Sequence, residues 1–65
     1  MPKQYVFIDR KKVSGCDDLD FKNSRDVMLR LPVGSFKTFY DAGRDSPEFA
    51  ELDRDPNYRK IILDS

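Results

Sequence analysis

The side chains that could do chemistry here are few: carboxylates at Asp17, Asp18 and Asp20, one thiol at Cys16, and the oxygen-rich stretch Asp53-Arg54-Asp55-Pro56-Asn57. Grouped carboxylates can exchange protons with a substrate or hold magnesium, but acid–base work needs surroundings that drive two pKa values apart. Three acids in a polar loop stay solvated and ionised, so no catalytic pair is expected. The thiol follows Ser14-Gly15 and precedes two Asp, whose negative field raises a thiol pKa and weakens the nucleophile. The stretch from Asp53 has the D-x-D-x-N opening of a calcium loop, in which alternating oxygens converge on a hard cation. Its sixth position is Tyr58 where the sharp turn needs Gly, and its twelfth is Asp64 where the ion needs a bidentate Glu. Helix-end acids beside an Asp-Pro-Asn turn account for the same letters.

What is missing narrows the choice further. The 65 residues contain no His and no Trp, which removes the ready proton shuttle near neutral pH and the common nitrogen ligand of zinc. A single Cys closes neither an internal disulfide nor a multi-cysteine site, and fits a reducing compartment. No catalytic, metal or cofactor residue is therefore expected, and the sequence reads as a binding module in the cytoplasm. Met1 to Gln4 runs straight into Tyr5-Val6-Phe7-Ile8 and then charge, so no signal peptide or membrane span is expected.

Twelve Lys/Arg balance twelve Asp/Glu, which removes the overall pull on nucleic acid of a basic protein. The two halves differ: residues 1–40 carry eight basic and five acidic side chains, and residues 41–65 carry four and seven. Mixed surface charge is the plain reading of that division.

The elements that must position these groups follow from spacing. Gln4 to Asp9 is β-branched and aromatic and too short for a helix, hence a strand. Residues 11–20, with Ser14-Gly15 and the Asp run, read as a loop. Asp26 to Leu31 alternates and is stopped by Pro32, which favours a second strand, with Ser24 as the cap of a short helix in the alternative. Ser35 precedes Phe36, Phe39 and Tyr40 at helical spacing, with Gly43 where a left-handed cap belongs, so a first helix is expected there. Ser46-Pro47-Glu48 opens a second helix to about Arg54 that buries Phe49 and Leu52. Asp55-Pro56-Asn57 turns the chain into a last strand from Tyr58 to Asp64.

The expected fold is one small two-layer α+β domain over residues 1–65, a three-stranded sheet with two short helices in the order ββααβ. The first strand is apolar on both sides, Tyr5 and Phe7 against Val6 and Ile8. Its second face is either left open for a partner or covered by the loop of residues 11–24 through Val13, Leu19 and Phe21.

Val6-Phe7-Ile8 bears a slight similarity to the start of the short strand motif of RNA-recognition domains, and Gly34 with Phe36, Phe39 and Tyr40 to their second aromatic motif. The aromatics here are spaced for a helix, whereas that motif needs them alternating on a strand, so the similarity implies no function. The expected function is a non-catalytic adaptor or inhibitor that occupies a surface of a larger protein. Short chains of this kind include accessory proteins carried by phages. Asp41, Asp45, Glu48, Glu51, Asp53 and Asp55 would steer it to a basic site, and Tyr5, Phe7, Phe39 and Tyr40 would anchor it. The rival is a nucleic-acid-binding regulator using Arg10, Lys11, Lys12, Lys22 and Arg25. A symmetric homodimer is a third reading.

Overall fold

A computed structural model describes residues 3–64. The elements run β1 (Lys3–Asp9), α1 (Ser24–Arg30), β2 (Phe36–Tyr40), α2 (Pro47–Arg54) and β3 (Tyr58–Asp64), with 3-10 turns at Cys16–Asp18 and Asp41–Gly43. The fold is α+β, built on a three-stranded antiparallel sheet in the order β2-β1-β3. The expected order ββααβ is corrected to βαβαβ: the second and third elements exchange types.

Both exchanges have a physical reason. Residues 24–30 form a helix because Val27 and Leu31, four apart, are buried together while the intervening Met28 and Leu29 point outward. Its cap is Asn23, whose side chain accepts from the Asp26 amide at 2.9 Å. Residues 36–40 form a strand because Phe36 and Phe39, an odd number apart, fall on opposite faces of a sheet that is covered on both sides. The Ser35 hydroxyl donates to the Pro32 carbonyl at 2.6 Å, holding a turn and capping no helix. Gly43 lies within a 3-10 turn, and the left-handed glycines are Gly15 and Gly34.

β1 is the centre of the sheet and the centre of the packing. Tyr5 and Phe7 face α2 and pack with Phe49 and Leu52, flanked by Phe39 and Tyr58. Phe7 meets Phe39 and Phe49 edge to face, with ring centroids 5.7 and 5.1 Å apart. On the other side Val6 and Ile8 pack with Val13, Cys16, Phe21, Val27, Leu31 and Leu63. The expectation of two layers is thus corrected to three, with α2 on one face and α1 plus the 11–23 segment on the other. A central strand apolar on both sides needs cover on both. Of the two alternatives for that face, the packing realises cover by Val13, Leu19 and Phe21, Leu19 from a half-buried position.

β2 and β3 run parallel to each other with β1 between them, so β2-α2-β3 is a split βαβ crossover. Its helix is strapped at both sheet margins, by Lys37–Glu48 at 3.0 Å to β2 and Lys60–Asp53 at 2.8 Å to β3. Ser46 accepts from the Phe49 amide at 3.2 Å and Pro47 occupies the first turn, as the sequence predicts.

Candidate interaction surface

The covered sheet decides where the expected anchors lie. Tyr5 and Phe7 are buried, and Phe39 is half-buried beneath α2. A partner could reach Tyr5 or Phe7 only by displacing α2, so these two residues are correctly described as core. Tyr40 is 57% exposed, but strand alternation sets it on the face opposite Phe39 and α2. The acids of α2 therefore share their face with no fully exposed aromatic of that set, only with the half-buried Phe39.

Most of those acids serve the fold. Asp41 accepts from the Tyr5 hydroxyl at 3.0 Å and from the Lys3 amide at 3.3 Å, tying the turn after β2 to the central strand. Burial, and then this bond, push the Tyr5 hydroxyl above its ordinary pKa. Glu48 and Asp53 make the two ion pairs that strap α2. The Glu48 carboxylate raises the pKa of Lys37, holding that ammonium charged. Asp55 accepts from the Asn57 amide at 2.9 Å, so the D-x-D-x-N stretch makes a helix end and a turn. Asp45 and Glu51 are exposed.

The basic set is spread along the covering segment. Arg10 pairs with Asp17 at 3.2 Å and donates to the Pro56 carbonyl. Lys12 reaches the Gly34 carbonyl at 3.4 Å, and Lys11 is exposed. Lys22 and Arg25 lie together in an open groove lined also by Asn23, Asp26, Leu29 and Arg30. Arg30 is engaged there, donating to the Asp20 carbonyl at 2.6 Å, pairing with Asp26 at 3.6 Å and lying over the Phe21 ring at 5.3 Å. Lys22 and Arg25 make no ion pair among the described residues.

Sequence reasoning missed the surface that α1 presents. Met28 and Leu29 are 68% and 78% exposed, and Val33 just beyond the helix is fully exposed. At 100° per residue, Arg25 falls between Met28 and Leu29 on the outward side, opposite the buried Val27. The signal is present in Val27-Met28-Leu29, a run too apolar for the one buried stripe of so short a helix; a strand over residues 26–31 sets Leu29 on the same side as Val27 and Leu31, where the helix turns it outward.

Cys16 is buried against Val6 and Ile8, and burial pushes its thiol above the ordinary range. The Arg59 guanidinium donates to the Cys16 carbonyl and, at 2.7 Å, to the Leu19 carbonyl, pinning the covering segment to β3. This is an inert core cysteine in a clamped loop. The aromatics of β2 are on a strand after all, which corrects the ground on which the RNA-motif similarity was set aside. The sheet still gives them no shared open face for stacking bases: Phe36 packs into one cluster, Phe39 into the other, and Tyr40 is the exposed member of the three.

Among the described residues, no helix is long and apolar enough to cross a membrane. Comparison with protein-family models, with curated proteins and with solved structures finds no match to this chain.

Proposed function

We propose that this chain is a small non-catalytic protein-binding module, an adaptor or inhibitor acting in the cytoplasm, and that its contact surface is the outward side of α1. The observation that carries the reading is the joint exposure of Met28 and Leu29 around Arg25, with Lys22 in the same groove as Arg25 and Leu29. A domain near the lower size limit for a core has few large apolar side chains to leave in water. Clustered exposure rimmed by polar groups is the composition of a protein contact. Lys22 and Arg25, which make no ion pair among the described residues, select the occupant, an apolar segment flanked by acidic side chains on a larger protein. This moves the contact away from the acids of α2, of which Glu48 and Asp53 are committed to the fold.

The test compares three baits in extracts of the cell that makes the protein: wild type, Met28→Glu/Leu29→Glu, and Glu51→Lys on α2. The captured protein is then purified and titrated against each. Wild type and Glu51→Lys are expected to bind alike, and the α1 double variant to lose at least about thirtyfold in affinity. Equal binding by all three, or loss only with Glu51→Lys, rejects this surface. Tight, salt-sensitive binding of an oligonucleotide that Lys22→Glu/Arg25→Glu abolishes replaces the reading with the nucleic-acid one.

A further inference from the structure

We infer that two copies of this chain pair through β3, edge to edge about a two-fold axis at Ile61, to make one continuous six-stranded sheet. The occupant of the β3 edge is a second copy. The argument begins with the direction of the backbone groups. Asp9 donates its amide to the Ser35 carbonyl on the β2 side, and Arg10 donates to the Asn57 carbonyl on the β3 side, both at 2.9 Å. Alternation along β1 therefore sends its even-numbered groups toward β3, where Val6 opposes Ile61 and Ile8 opposes Arg59. Lys60 and Ile62 consequently turn their N–H and C=O away from β1, to the open margin of the sheet.

Edge strands are commonly kept single by charged side chains. Both cations of this edge are tied down within their own chain. Lys60 is held to Asp53 at 2.8 Å, and Arg59 is turned to the Cys16 and Leu19 carbonyls. What the margin offers instead is Ile62, 52% exposed within an Ile-Ile-Leu run of high strand propensity.

The register centred on Ile61 is self-complementary. It opposes Ile61 to Ile61, Lys60 to Ile62 and Arg59 to Leu63, so no like charges meet, and the outward N–H and C=O of Lys60 and Ile62 face those of the second copy. The apolar stem of each Lys60 then covers the Ile62 across from it. β2, the other margin, offers five residues against the seven of β3 and no aliphatic run. A like-with-like contact about a two-fold axis closes at two copies. It also leaves the α1 surface proposed above free, so either proposal can fail without the other.

The test is sedimentation of the full chain over a wide range of concentration. A monomer–dimer equilibrium is expected, with Ile62→Lys raising the dissociation constant about tenfold or more because Lys then opposes Lys60. Its fold is checked by circular dichroism. Should that variant not fold, Ile61→Cys decides: residues opposed at a non-hydrogen-bonded site lie about 4.5 Å apart, within bridging range, so mild oxidation should link position 61 to position 61. Glu51→Cys, on the exposed side of α2, should remain unlinked. A strict monomer, a dimer indifferent to Ile62→Lys in folded protein, or failure of Ile61→Cys to link each overturns the proposal, as does open-ended polymerisation.

Discussion

Asp9 ends the central strand and holds both its own turn and a distant piece of chain, accepting from the Lys11 amide at 2.9 Å and from the Asn57 side chain at 2.8 Å. The bond from Asn57 is the main reason its carboxyl titrates below the ordinary range. A group whose folded pKa is depressed adds stability above its unfolded pKa and loses it as pH falls through the folded one. The denaturation midpoint of the wild type is therefore expected to drop as pH falls below about 4, the usual carboxyl value. Asp9→Asn should start lower at neutral pH and converge on the wild type in acid. A gap between the two proteins that stays constant through that window would show that the charge of Asp9 contributes nothing.

At the scale of elements, local chemistry was legible where a cap announced a helix and a turn announced a strand. Ser46-Pro47 located α2, and Asp55-Pro56-Asn57 located the start of β3. It failed where one spacing serves two structures. Val27 and Leu31 fit a strand alternating by two and a helix stepping by four; the Asn23 cap decides for the helix. Phe36, Phe39 and Tyr40 fit a helical stripe, but a sheet buried on both faces accepts aromatics on either side. Knowing that β1 is central, with cover on both faces, would have resolved both, and that is a tertiary fact. The caps can be tested together. Asn23→Ala and Ser46→Ala are each expected to cost about 1 kcal/mol in urea unfolding. A neutral Asn23→Ala would mean that burial of Val27 and Leu31 alone holds α1.

Across the whole molecule, two small cores share one strand, so the sheet couples them. Phe7 is fully buried and touches both Phe39 and Phe49. Phe7→Ala is expected to cost about 3–5 kcal/mol. That is comparable to the total stability of about 3–10 kcal/mol that a domain of this size commands, so the variant should be largely unfolded by circular dichroism. Leu29→Glu, on the outward side of α1, should stay within about 0.5 kcal/mol of wild type in the same measurement. A large loss there would place Leu29 in the core and remove the surface proposed for binding. The candidate site was less legible than the fold because exposure is decided by which side of an element faces the sheet. Tyr5 and Phe7 read equally well as anchors or as core until α2 is seen lying over them.

The strand at the centre of this sheet is synthesised before either of its neighbours, and β3 is the later of the two. Until residues 58–64 emerge, Tyr5-Val6-Phe7-Ile8 has only half its hydrogen-bonding partners. At about 5–20 residues per second, the interval after β1 leaves the ribosome lasts several seconds. During translation the nascent polypeptide therefore carries its stickiest segment at most half-paired until the seven-residue β3 arrives.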